Sequence, residues 1–270
     1  MASSIARFII VPACAYLLFC LLAYLFQEKL LYFPGRWQQP DAASLQALGL
    51  TAWPEGGQDC RGYLAATADK TARATVVIFH GNAGPAWLRS HYLSPLLNLE
   101  YRVLLAEYPG YGGRQGKRNE RSLVTDARQT LEMVNREWPG PVHLFGESLG
   151  AGVAAAALCG QELKIDSLVL ITPWDSLGDL ATALYPYLPV RLLLRDRYDN
   201  LKNLSASRIR TLLVLAERDE IIPRKHSMRL FEALPGEKKL LSVPAAGHND
   251  WPDKIGPEFW RQLHGFISQH

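Results

Sequence analysis

Cysteine is scarce in this chain: four residues in 270, of which Cys14 and Cys20 fall in a hydrophobic N-terminal run. The other two, Cys60 and Cys159, cannot build the framework of a disulfide-stapled domain, and no CxxC pair or His/Cys cluster has the spacing of a metal site. Cys159, closing an alanine-rich run, reads as a small buried hydrophobe. Charge of one sign is also lacking: 29 basic against 26 acidic residues leave a net +3, and no basic stripe interleaved with aromatics marks a nucleic-acid surface. The one basic cluster, Arg114, Lys117, Arg118 and Arg121, reads as a solvated loop or as a contact for anionic lipid headgroups. The glycines of that loop, Gly110 to Gly116, fail as a phosphate cradle. Gln115 stands where a third glycine belongs, and Lys117 is followed by Arg118 rather than Ser or Thr. Internal repeats and low-complexity tracts are absent, which excludes solenoid and array architectures. No cofactor and no metal are expected, and no feature of the sequence specifies an oligomeric state.

What the chain does have is one long run without charge, Phe8 to Phe26. As a helix it covers about 28 Å, enough to cross a hydrocarbon core. Arg7 precedes it, Glu28 and Lys29 follow, and Tyr24, Tyr32, Phe33 and Trp37 gather where aromatic rings favour the membrane interface. A cleavable signal peptide would carry a shorter apolar region ending in small residues, whereas this run ends Tyr24-Leu25-Phe26. A lipoprotein cysteine fits less well: Cys20 follows the bulky Phe19, and too few apolar residues precede Cys14. The reading is an uncleaved single-pass anchor with its juxtamembrane segment over residues 1–35 and one further domain over 36–270. Positive charges on both flanks leave the orientation open.

Six apolar runs predict strands: Thr75 to Phe79, Val103 to Tyr108, Val142 to Phe145, Ser167 to Thr172, Thr211 to Ala216 and Lys239 to Val243. Most are continuous in Val, Leu and Ile rather than alternating, the pattern of strands covered on both faces in a parallel sheet. Between them, Leu123, Ala127, Leu131, Val134 and Trp138 recur at helical spacing, as do Phe259, Leu263 and Phe266 near the C-terminus. Alternation of strand and helix implies an α/β fold, a doubly wound and mostly parallel sheet flanked by helices, with its chemistry beyond the carboxyl ends of the strands. Residues 36–74 read as a linker plus an antiparallel edge hairpin. Residues 173–210 exceed what a crossover needs. They hold Trp174, Leu177, Leu180, Leu184, Tyr185, Tyr187, Leu188 and Val190, broken by Pro186 and Pro189. These residues either form a short apolar cap that receives an acyl chain or pack onto the domain.

The most informative motif is Gly146-Glu147-Ser148-Leu149-Gly150, between the apolar run 142–145 and the small-residue run 151–157. Strand, sharp turn and helix at a G-x-S-x-G pattern hold a serine with its Oγ exposed; the bland alternative is a helix-capping serine. A nucleophilic serine needs a base, and the base an orienting acid. Asp219 follows the strand 211–216 and His248 follows the next strand, so all three can meet on one rim. Asp175, just after the run ending at Thr172, is the alternative acid; Glu217 and Glu220 suit the role less. An acyl-transfer intermediate also needs oxyanion donors. One is the N–H of Leu149, the residue after the serine. The other comes from the loop His80-Gly81-Asn82-Ala83-Gly84 and is assigned to Asn82, with Ala83 as the alternative. His80 precedes that turn and reads as a structural brace, and His226 as a structural histidine near Asp219.

The order His80-Gly81-Asn82, Gly146-x-Ser148-x-Gly150, Asp219, His248 resembles the α/β-hydrolase superfamily over about residues 70–270. More narrowly, the chain is similar to membrane-anchored α/β-hydrolase-domain proteins with an HGN oxyanion loop, a group with lysophospholipase, depalmitoylase and aminopeptidase-like members. Tyr108-Pro109-Gly110-Tyr111-Gly112, Thr172-Pro173-Trp174-Asp175-Ser176-Leu177 and Leu31-Tyr32-Phe33-Pro34 share in that resemblance. It implies a membrane-bound serine hydrolase acting on carboxylic esters or thioesters, its partner a small-molecule or lipid-like acyl substrate. A peptidase or amidase, and a silent membrane-tethered binding module, are the alternatives.

Overall fold

A computed structural model describes residues 2–55, 59–65 and 72–269, with side chains from residue 9 onward. Phe8, where the predicted anchor begins, and part of the loop joining the edge hairpin therefore lie outside the described side chains. Helix α1 (Ala2–Leu31) leads into a short α2 (Ala42–Ala47) and the hairpin β1 (Leu50–Trp53) and β2 (Gly62–Ala65). Then come β3 (Ala74–Phe79), α3 (Leu93–Asn98), β4 (Tyr101–Ala106), α4 (Glu120–Glu137), β5 (Val142–Glu147) and α5 (Leu149–Leu158). The chain continues through β6 (Ser167–Ile171), α6 (Leu177–Leu184), α7 (Val190–Leu193), α8 (Asn200–Leu204) and β7 (Arg210–Ala216). It closes with α9 (Arg224–Ala233), β8 (Lys238–Val243) and α10 (Pro257–Ile267).

The eight strands form one sheet in the order β1-β2-β4-β3-β5-β6-β7-β8. The hairpin is antiparallel to itself and to β4, and every other pair is parallel. Continuous apolar strands are explained by the period of two, since successive side chains serve opposite faces. Val77, Phe79, Leu144, Leu168, Leu170, Leu213 and Leu215 join one core with Leu123, Leu131 and Val134 of α4, every non-glycine residue of α5 and Leu230 of α9. Val76, Ile78, Phe145, Val169, Ile171, Leu212 and Val214 join a second core with Leu93 and Leu96 of α3 and Leu263, Phe266 and Ile267 of α10.

Some details depart from the sequence reading. The second predicted strand is shifted, running Tyr101–Ala106. Beyond it Tyr108 turns inward and donates its hydroxyl to the His80 carbonyl at 2.9 Å. Trp138 lies past the end of α4, which its carboxyl cap closes, and packs against Trp53 of β1. Cys159 is half-buried rather than buried.

The basic loop is not simply a solvated surface. Arg114 is 7% exposed in its side chain and bonds Asp126 through both terminal nitrogens, at 2.9 and 2.8 Å, while also reaching Asp59 and the Glu107 carbonyl. Arg118 pairs with Glu28 at the end of α1; only Lys117 and Arg121 are exposed. In the 173–210 segment, Trp174, Leu177, Leu180 and Val190 are buried, the first three in the core, whereas Leu184, Tyr185 and Tyr187 are exposed. The segment is thus part domain wall and part surface.

Helix α5 is all small or apolar residues and buried throughout, which lets it lie against the sheet at backbone distance. A Cβ on Gly150 would overlap the Phe79 carbonyl oxygen, and one on Gly146 would sit 2.5 Å from the Gly150 oxygen. Neither obstacle is a side chain that can swing away. Gly150→Ala is therefore expected to cost about 3 kcal/mol or more, read as a large fall in thermal midpoint. Arg114→Ala, which leaves buried Asp126 with Arg61 alone, is expected to cost on the order of 2–3 kcal/mol. Arg121→Ala on the same loop should change denaturant midpoints by no more than about 0.5 kcal/mol.

Candidate active site

The carboxyl ends of β3, β5, β7 and β8 open onto one rim, where the chain changes direction between strand and helix. Ser148 lies between β5 and α5 with φ 53° and ψ −110°. A non-glycine residue in that region is strained and persists only where its surroundings fix it. Here Ser148 N donates to the Ile171 carbonyl of β6 at 2.9 Å and its own carbonyl accepts from Ala151 N at 2.9 Å. The residue is 8% exposed.

His248 Nε2 lies 3.0 Å from Ser148 Oγ, and His248 Nδ1 lies 2.8 Å from Asp219 Oδ2. The other Asp219 oxygen accepts from Ile221 N (2.9 Å) and Ile222 N (2.7 Å), which locks the carboxylate's angle. A carboxylate only accepts, so the proton of the imidazole belongs on Nδ1, leaving Nε2 as acceptor toward the serine hydroxyl. Glu220 is next to this line but acts elsewhere: its Oε2 accepts the backbone N–H of His248 at 3.0 Å. Glu217 is exposed.

Asp175, the alternative acid, is occupied by other partners. Its Oδ1 lies 2.8 Å from His226 Nδ1 and accepts Ser176 N at 2.7 Å, and its Oδ2 accepts from Arg229 at 3.2 Å. His226 thus pairs with Asp175 rather than Asp219, in a second buried His–Asp contact.

The loop 80–84 runs beside the serine: a Cβ on Gly81 would lie 3.6 Å from Ser148 Cβ. His80 is fully buried and braces the loop, with Nδ1 2.7 Å from the Gly81 oxygen and Nε2 3.0 Å from Glu107 Oε1. The Asn82 carbonyl accepts from Phe33 N (2.9 Å) and the Tyr111 hydroxyl (3.0 Å), and its side-chain amide donates to the Leu31 carbonyl (3.1 Å). Gly84 N returns a bond to the Phe33 carbonyl at 3.1 Å, so Phe33 and Ala83 form a parallel bridge. The end of α1 is stitched to this loop. Leu149, the other assigned donor, opens α5 directly after Ser148.

One group of residues carried no signal in the sequence. Glu147, between Gly146 and Ser148, accepts Arg89 Nε at 3.2 Å and the Tyr92 hydroxyl at 3.1 Å, and Arg89 also donates to the Ala83 carbonyl at 3.3 Å. Burial pushes the Tyr92 phenol far above its usual range, with Glu147 adding to the effect, so it remains a donor. The Arg89 guanidinium therefore ties the serine turn to the 80–84 loop. Among the described residues no group of three or more His, Cys, Asp or Glu side chains gathers as metal ligands would.

Comparison with known proteins agrees with this architecture. The model of the family described as serine aminopeptidase, S33, matches residues 70–195. An uncharacterized protein of Mycobacterium tuberculosis (strain H37Rv) is 32% identical over 229 residues, which cover 83% of this chain and 81% of that protein. Protein bem46 of Schizosaccharomyces pombe is 26% identical over 210 residues, 74% of this chain and 69% of that one. Among solved structures, an esterase of Pyrococcus furiosus superposes with a TM-score of 0.66 at 16% identity, covering 88% of this chain and 97% of the esterase. The eight-stranded, mostly parallel sheet is that of the α/β-hydrolase fold, and with a relative 32% identical over four-fifths of both chains this chain belongs to the family that holds the mycobacterial protein.

Proposed function

We propose that this protein is a membrane-anchored serine hydrolase that cleaves carboxylic ester or thioester bonds of lipid-like or acylated substrates. Residues 1–35 serve as its anchor and 36–270 as its catalytic domain. The observation that carries the reading is the continuous line from Ser148 Oγ to His248 Nε2 (3.0 Å) and from His248 Nδ1 to Asp219 (2.8 Å). His248 takes the serine proton as Oγ attacks the substrate carbonyl. Asp219 holds the tautomer and stabilises the imidazolium that forms. The tetrahedral oxyanion is met by the Leu149 N–H at the positive end of α5 and by the Asn82 N–H. His248 then protonates the departing alcohol or thiol, and water releases the acyl group from Ser148 by the same route. The anchor reading draws support from α1, whose segment Ile9–Leu31 is long and apolar enough to cross a bilayer and is almost entirely uncovered by the rest of the protein.

A second reading, cleavage of amides by the same residues, is favoured by the aminopeptidase description of the family model. Turnover of p-nitrophenyl acyl esters against aminoacyl anilides separates the two, and esters are expected to be the better substrates by kcat/KM.

A fluorophosphonate probe is expected to label the wild-type chain at Ser148, and Ser148→Ala to abolish labelling. Asp219→Asn keeps an oxygen for Ile221 and Ile222 but offers His248 a donor where an acceptor is needed. It should lower kcat on the order of 10⁴-fold with little change in melting; unchanged turnover would remove Asp219 from the mechanism. Across acyl esters of graded length, kcat/KM should rise toward chains of eight carbons or more, each buried CH₂ contributing about 0.8 kcal/mol. A preference for acetyl esters would argue against lipid-like substrates.

A further inference from the structure

One stripe of α1 touches the rest of the protein, though only Cys20 in it is fully buried. Tyr16 donates its hydroxyl to the Tyr187 carbonyl at 2.8 Å, Cys20 is buried, and the Gln27 amide donates to the Leu193 carbonyl at 3.1 Å while accepting from Arg195 N at 2.8 Å. Tyr16, Cys20, Ala23 and Gln27 share a helical face, and α7 packs against it. Tyr16 and Gln27 are eleven residues apart, about 16 Å along the axis. The segment Tyr187–Leu193 thus runs beside the domain-proximal half of the apolar span, with its tip near the middle of residues 8–26. Half of a hydrocarbon core is about 15 Å thick.

The segment is fitted to that environment. Tyr187 and Leu192 are each 86% exposed, with Leu184 and Tyr185 also uncovered. Lipid tolerates non-helical backbone only where its polar groups are satisfied. Here most N–H groups find carbonyls within residues 181–190, those of Tyr185, Leu188, Val190, Leu192, Leu193 and Leu194; Pro186 and Pro189 have none to satisfy, and the Tyr187 carbonyl is taken by Tyr16. Arg191, its side chain largely exposed, pairs with Asp179 at 2.7 Å, a carboxylate it shares with Arg229, and its long stem lets the guanidinium reach toward the headgroups. Arg195 lies over the Tyr24 ring at 5.2 Å, beside Gln27, at the level expected for headgroups.

We infer that residues 184–193 form a second membrane-embedded element, entering the domain-proximal leaflet alongside α1 without crossing the bilayer, with Tyr187 and Leu192 among the acyl chains. This rests on the anchor reading above. It seats the catalytic domain against the lipid rather than leaving it suspended on a tether.

The test uses the full chain in phosphatidylcholine vesicles. An environment-sensitive fluorophore is attached through Leu192→Cys, and separately through Tyr187→Cys, with Cys14 and Cys159 replaced by serine and the buried Cys20 and Cys60 retained. A control label enters through Gln161→Cys, exposed three residues past the far end of α5. Labels at 192 and 187 should shift to the blue and be quenched by brominated acyl chains, and the label at 161 should do neither. Water-like emission at both 192 and 187, in a chain that resists alkaline extraction and melts as wild type, would overturn this inference and leave the anchor reading intact. Extraction of the chain at alkaline pH would overturn both.

Discussion

The constraint on which the rest depends is the near-contact of α5 with the sheet. Gly150 lies so close to the Phe79 carbonyl, and Gly146 to Gly150, that no side chain fits at either position. That approach forces the tight turn in which Ser148 takes a positive φ and presents Oγ beyond the end of β5. The backbone strain is held by core packing on both faces and by the Ser148–Ile171 bond. Everything else at the rim is arranged around that fixed oxygen: a histidine from the loop after β8, a carboxylate from the loop after β7, and the glycine-containing loop after β3.

Two buried His–Asp pairs, His248–Asp219 and His226–Asp175, lie past the ends of adjacent strands. They look alike as side-chain chemistry, and only their surroundings differ. The carboxylate of Asp219 is angled by two backbone donors from its own turn, and its imidazole faces Ser148. The carboxylate of Asp175 is shared with Arg229, which also pairs with Asp179. Asp175 therefore joins α9 to the segment carrying α6, while Asp219 holds an imidazole in line with a hydroxyl.

Much of this was legible in the sequence because it depends on local pattern. The apolar strands are continuous since neighbours such as Val76 and Val77 serve opposite cores, and the glycine-flanked serine advertises its own turn. What stayed hidden depends on distant residues meeting. Arg114 looked like a loop cation because nothing in its neighbourhood reveals Asp59 and Asp126. Glu147 read as the variable position of a motif because Arg89 and Tyr92 reach it only after folding. The strand read over Val103 to Tyr108 is placed two residues late because Tyr108 is as apolar as a strand residue but gives its hydroxyl to the His80 carbonyl.

The bridge between Phe33 and Ala83 joins the chain two residues past α1 to the loop beside Ser148 with no slack between them. For a helix held in a bilayer, such a joint works as a ruler. On the anchored-hydrolase reading proposed above, the height of Ser148 Oγ above the lipid surface is set by a few short bonds rather than by a swinging linker, so the depth to which a substrate rises out of the membrane becomes a built-in dimension of the protein.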